Sequence, residues 1–305
     1  MAKNMFSQKL NKAILEKNSR LCVGLDPRLE LLPKTILNAA IKKHGQTNQA
    51  AADAITTFNK QVLDTVVDLA CCVKPQIAFY EQFGAEGIQS FWDTVKYAKS
   101  LDLVVIADIK RGDIGSTAQG YAHAYLGGNK LFNKKVESDI DSITINPFLG
   151  EDTLEPFVSV AKQEQKGLFV LVKTSNPGSK DLQDLKIDNQ SISMRVAQMI
   201  NHQAESLPLD EYGYHSLGAV IGATYPKSAQ QFRKVLPQSI FLVPGIGAQG
   251  GDPSLLKHFF NKDKLGAIVN SSRGITFTFK PNEKNYLTDI RKSALETRDL
   301  INHNL

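Results

Sequence analysis

The chain has 305 residues, 42% hydrophobic and 22% charged, and carries a formal net charge of +5. This is ordinary globular composition, and the length exceeds the roughly 250 residues typical of one α/β barrel by no more than insertions allow. The longest basic patches, Lys42-Lys43 and Lys134-Lys135, are too short for a nucleic-acid partner, and no apolar run approaches the ~18 residues that cross a membrane.

The first twenty residues lack the apolar core of a signal peptide and instead space Phe6, Leu10, Ala13 and Ile14 along one helical face. Eight short apolar runs follow: LCVGLD (21–26), CCVKPQ (71–76), LVVIADIK (103–110), SITINPF (142–148), GLFVLVKTS (167–175), LGAVIGAT (217–224), IFLVPGIG (240–247) and LGAIVNSS (265–272). Near-continuous apolarity, rather than alternation, marks strands covered on both faces, hence a parallel sheet with helices outside. Helix-like periodicity fills intervening stretches such as 87–100 and 228–236. Eight strands alternating with helices predict an α/β fold, a single (β/α)8 TIM barrel over 1–305 preceded by an N-terminal helix. An open doubly wound sheet is the competing architecture. Two connections are long, 27–57 and 176–216, the second with a helix over 193–207. Both read as insertions within one domain. Cys22, Cys71 and Cys72 lie in apolar segments without a C-x-x-C spacing, which predicts buried reduced thiols and a cytoplasmic protein.

In a parallel barrel all strand C-termini face one way, and chemistry collects there. Here the ends bear Asp26, Lys74, Asp108 with Lys110, Asn146, Thr174 with Ser175, Thr224, the turn from Pro244 to Gly251, and Asn270 to Arg273. One such residue is an ordinary solvated loop; eight polar ends together predict a polar pocket. Asp108 and Lys110, two apart in a strand, point to one face, and Asp113 lies just beyond. Neighbouring carboxylates raise a lysine's pKa, so Lys110 reads as a poor nucleophile and a proton donor. A purely structural ion-pair network is the alternative.

Gly245 to Gly250 spells G-x-G-x-x-G after a strand, but the acidic residue a dinucleotide site needs about 20 positions on is missing. In the seventh βα unit, with Arg273 after the eighth strand, the turn fits a phosphate site better, against the plainer reading of tight βα connections. The six histidines form no metal motif, no nucleophile elbow is present, and His123 reads as a surface or interface residue.

VIADIKRGDIGSTA (105–118) resembles the D-x-K-x-x-D-I-[GP]-x-T signature of the orotidine 5′-phosphate decarboxylase family, unbroken from Asp108 to Thr117. The resemblance extends through LCVGLDPR, CCVKPQIAFYEQFG, TINPFLG, VKTSNPGS, VPGIGAQGGDP and NSSRGI, and is similar to the longer bacterial subfamily, which carries Gly115 where shorter relatives have proline. It implies decarboxylation of orotidine 5′-monophosphate to UMP, the last step of pyrimidine synthesis, without metal or cofactor. By motif position Lys110 would protonate C6, Asp108 would face the departing carboxylate, and Lys74 and Asp26 would contact the ribose and hold the charged array. Asp113, Ile114 and Thr117 would reach the partner's site across a homodimer. Ser175 would face the pyrimidine edge, Pro244 would border the substrate, and Gln249 would bridge base and phosphate. Gly245, Gly247 and Arg273 would bind the phosphate. The competing activities are a metal-dependent sugar-phosphate aldolase or epimerase on the same barrel, and a nucleotide-binding barrel without turnover, for which the Asp108–Lys110–Asp113 array has no use.

Overall fold

The computed structural model describes residues 5–245 and 251–305. Its main sheet is a closed parallel barrel of β1 (Leu21–Leu25), β2 (Cys72–Pro75), β3 (Val104–Arg111), β4 (Ser142–Ile145), β5 (Gly167–Lys173), β6 (His215–Ile221), β7 (Ser239–Pro244) and β8 (Ala267–Ser271). Each strand pairs with the next, and β1 closes on β8 through Leu21↔Val269, Cys22↔Asn270 and Val23↔Ser271. All eight apolar runs are thus strands, and closure removes the open-sheet alternative.

Strand side chains divide into two cores. Val23, Val73, Val105, Ala107, Ile143, Val170 and Val269 pack outward under the helices, whereas Cys22, Cys72, Val104, Ile106, Phe169, Leu242 and Ile268 fill the barrel interior. The period of two in a strand produces this division, and burial on both sides explains the missing alternation. The helix Phe6–Glu16 adds Phe6, Leu10 and Ile14 to the interior cluster. It stoppers the end where the strands begin. Phe6 meets Phe169 edge-on with ring centroids 5.8 Å apart, and a Cβ on Gly167 would lie 2.1 Å from the Phe6 ring. Lys9 and Lys99 hold the buried Asp141 at 3.0 and 3.2 Å at this same end.

The 27–57 stretch is mostly helical: a 3-10 turn at Leu29–Leu31 precedes helices Lys34–His44 and Asn48–Val66. The Thr47 hydroxyl caps the second helix by accepting the Ala50 N–H. The 176–216 stretch holds a helical turn at Ser179–Leu182, a hairpin pairing Lys186–Ile187 with Gln190–Ser191, and the helix Ile192–Ala204. A second hairpin, Lys130–Leu131 with Lys134–Lys135, follows the helix Gly115–Leu126. Among the described residues no helix is long and apolar enough to cross a membrane.

Candidate active site

β3 does not end as a regular strand. Its register against β4 shifts between Ala107 and Arg111, and Lys110 takes a left-handed backbone at φ +48°. That conformation costs a non-glycine residue roughly 1–2 kcal/mol and persists only where its surroundings hold it. Thr144 of β4 holds it. Its hydroxyl oxygen accepts the N–H groups of both Ile109 and Lys110 at 3.0 Å, satisfying the two donors that the irregularity would orphan. The same hydroxyl donates to Asp108 Oδ1 at 2.8 Å.

Asp108 therefore sits at the centre of a cluster. Lys74 Nζ, from β2, lies 2.7 Å from its Oδ2, and Lys110 Nζ lies 2.5 Å from its Oδ1. The Lys74 and Asp108 side chains are almost enclosed, while that of Lys110 remains 43% exposed. Burial alone would raise the Asp108 pKa, but the charges of Lys74 and Lys110 and their hydrogen bonds overcome it and hold the carboxyl well below the usual carboxylate range. For Lys74 burial pulls downward, and Asp108 followed by Asp26 outweighs it, so the ammonium titrates above an ordinary lysine. Among the described residues, the buried Oδ1 of Asp26 has no hydrogen-bond partner.

These groups border a cavity of about 510 Å³ at the C-terminal mouth of the barrel. Its wall includes Asp26, Lys74, Asp108, Lys110, Ser175, Pro244, Gly245 and Arg273, which the sequence had nominated from separate strand ends. Arg273 is exposed at its edge, and Gly245 turns the chain out of β7 at φ +103°. On the other side of the barrel seam, a Cβ on Gly24 would stand 1.9 Å from Ser272 Oγ, so only glycine lets Ser272 approach β1.

Three nominated residues lie elsewhere. Asp113, Ile114 and Thr117 sit on the rim beyond β3 and do not line this cavity; Ile114 is 62% exposed, and Asp113 Oδ1 accepts the Ile114 N–H at 2.8 Å. Asn146 and Thr224 are likewise absent from the wall, and Asn146 Oδ1 instead accepts the Phe148 N–H. Gly247 and Gln249 lie outside the described residues. Sequence reasoning missed Thr144 and Arg28. Thr144 is a polar residue inside the apolar run SITI, two before Asn146; Arg28 follows Asp26 by two and lines the cavity with its guanidinium 5.1 Å from the Phe79 ring. Among the described residues no three His, Cys, Asp or Glu side chains gather as metal ligands.

Charges this costly to bury are kept together at the end of the barrel where such folds do their chemistry, and by class the chain is a (β/α)8-barrel enzyme. Residues 19–284 match the model of the Orotidine 5′-phosphate decarboxylase / HUMPS family. The chain is 45% identical to the orotidine 5′-phosphate decarboxylase of Rhodopirellula baltica over 93% of its own length and 92% of the relative's. To that of Caldicellulosiruptor bescii it is 40% identical, over 95% and 94%. The structure of Leishmania donovani OMP decarboxylase superposes with a TM-score of 0.74 at 31% identity, covering 98% of each chain. The chain belongs to the orotidine 5′-phosphate decarboxylase / HUMPS family, and it is an enzyme, a carboxy-lyase like those relatives.

Proposed function

We propose that this chain converts orotidine 5′-monophosphate to UMP and CO2, the closing step of pyrimidine nucleotide synthesis. The observation that carries the proposal is Asp108, kept ionised between Lys74 and Lys110 in the wall of the mouth cavity. Loss of CO2 from C6 breaks the C6–carboxylate bond and leaves its electron pair on C6, in an orbital the pyrimidine ring cannot delocalise. An ammonium held beside that carbon stabilises the charge and then removes it. Lys110 is the ammonium in question. It gives a proton to C6 as CO2 departs, and its half-open position leaves the resulting amine able to recover a proton from water.

Asp108 is placed beside the substrate carboxylate. Flanked by two ammonium groups, it does not relieve that repulsion by taking a proton, so the strain is discharged when the carboxylate leaves as neutral CO2. Lys74 and Asp26 hold the ribose, Ser175 meets the pyrimidine edge, and Pro244 borders the ring. Arg273 and Gly245 take the phosphate, joined by Gly247, with Gln249 between phosphate and base. Binding energy from the phosphate, remote from C6, is then available to hold the reacting carbon against Lys110.

Asp113, Ile114 and Thr117 are assigned to the site of a second copy in a homodimer. Their position on the rim supports this, as does the exposure there of apolar side chains at the ends of β3 and β4: Ile114 is 62% exposed and Phe148 72%. The test of the activity is UMP formation from orotidine 5′-monophosphate by EDTA-treated protein. Turnover is expected. Its absence, with sugar-phosphate cleavage or epimerisation restored by a divalent cation, would replace this reading with the metal-dependent one.

A further inference from the structure

The last residue of β5, Lys173, is a lysine whose side chain is only 1% exposed, and the chemistry proposed above does not use it. Its Nζ lies 2.7 Å from Asp184 Oδ1 and 3.4 Å from Ser179 Oγ, and it stands 4.2 Å from the centre of the Tyr225 ring. Tyr225 closes the arrangement through a 2.8 Å hydrogen bond with Ser179 Oγ. Asp184 and Ser179 both belong to the stretch between β5 and the helix Ile192–Ala204, whose Leu182, Leu185 and Ile187 are exposed and contribute little packing. The buried ammonium is therefore a main attachment of this stretch to the barrel.

The attachment continues one residue further along both strands of chain. Next to Lys173, the Thr174 N–H donates to Gln183 Oε1 at 2.9 Å, and Gln183 Nε2 donates to Thr174 Oγ1 at 2.8 Å. Thr174 and Gln183 thus repeat the pairing of Lys173 with Asp184. Thr174, Ser175 and Asn176 form one side of the cavity, and Ser175 packs so closely on Gly222 that a Cβ there would lie 2.9 Å from it.

We infer that Lys173 is a positioning residue: by binding Asp184 and Ser179 it pins the 176–191 stretch to the end of β5, so that Gln183 fixes Thr174 and Ser175 against the base of the bound nucleotide. The assignment of the base to this wall rests on the proposed function. A buried lysine that loses its carboxylate is left uncompensated, whereas an apolar replacement of similar length is tolerated. Lys173→Met therefore tests position without enforcing unfolding, and Asp184→Asn, which removes the charge at the half-exposed end of the pair but keeps an oxygen acceptor for the ammonium, supplies a second variant.

The experiment measures inhibition by UMP and by ribose 5-phosphate, which lacks the base, together with hydrogen exchange of residues 176–191. In Lys173→Met and in Asp184→Asn, the UMP inhibition constant and the KM for orotidine 5′-monophosphate should rise about tenfold, the scale of one charge-anchored contact. Ribose 5-phosphate inhibition should stay the same, exchange over 176–191 should quicken, and Lys173→Arg should recover part of the loss. Equal weakening of both inhibitors, unchanged UMP inhibition, or unchanged exchange would each overturn the inference. If the unaltered protein bound ribose 5-phosphate but neither bound UMP nor turned over its precursor, the proposed function would fall instead, and exchange alone would decide whether Lys173 pins the stretch.

Discussion

Thr144 and Asp108 are joined by a 2.8 Å hydrogen bond from a hydroxyl that also accepts two backbone N–H groups of β3. One side chain thus stabilises the irregular end of the strand and aims the carboxylate between its two lysines. Thr144→Val removes all three contacts at nearly constant shape. It leaves two buried N–H groups unsatisfied and is expected to cost about 1–3 kcal/mol of stability, while lowering kcat/KM by roughly tenfold or more. Thr144→Ser should retain most of both. Calorimetry with steady-state kinetics checks this, and a Val variant with unaltered activity would deny Thr144 its aiming role.

Lys110→Ala removes the proposed proton donor at a side chain that is 43% exposed, so the fold should survive. Loss of a positioned general acid costs about 10²–10⁴-fold, and loss of its charge beside the developing carbanion adds to that. Activity should fall nearly to background with the circular dichroism spectrum and melting temperature close to those of the parent. Unchanged turnover would sink the role given to Lys110.

A mixing experiment separates the two halves of the β3 motif. Asp113→Ala and Lys110→Ala subunits, each inactive alone, should regain measurable activity when mixed. One of the two sites in a mixed dimer then draws an intact Lys110 and an intact Asp113 from different subunits. Absence of recovery, with subunit exchange demonstrated by mass, would return Asp113 to a role within its own chain.

The charged cluster also sets a pH dependence whose sign follows from the direction of each shift. Asp108 titrates lower in the folded protein than in the unfolded chain, so its contribution is full above the unfolded value of about 3.9 and is lost as pH falls through the folded one. Lys74 titrates higher when folded, so its contribution is full below about 10.4 and is lost as pH rises through its folded value. The melting-temperature gap between the parent and Asp108→Asn should therefore be widest near neutrality and should narrow in acid below about pH 4. A gap that stays constant into the acid range would contradict the ionised Asp108.

The barrel was legible because strands covered on both faces must be apolar throughout, and runs such as SITI and GLFVLVK stand out against amphipathic helices. Asp108, Lys110 and Lys74 were legible because charge at the end of such a run needs a reason. The hairpins at 130–135 and 186–191 were not, since two-residue strands such as Lys134–Lys135 carry no hydrophobic pattern and depend on local turns. Thr144 escaped notice for another reason: a threonine within a β-branched run is good strand material whether or not its hydroxyl has a partner to hold. Lys173 was not singled out, because the groups that enclose it, Ser179, Asp184 and Tyr225, come together around it only in the folded chain.

The contact that only Gly24 permits with Ser272 has a consequence for how the molecule comes into being. β1 and β8 are the most distant partners in the sheet, so the seam between Asp26 and Arg273 closes only after the rest of the barrel has been synthesised. Until then β1 lacks one of its two neighbours in the sheet, and the cavity lacks the part of its wall that Asn270 to Gly274 supply. Arrival of residues 267–271 ends both conditions together. A chain that stops short of β8 is expected to have neither a closed sheet nor a complete cavity wall, so both should arrive together.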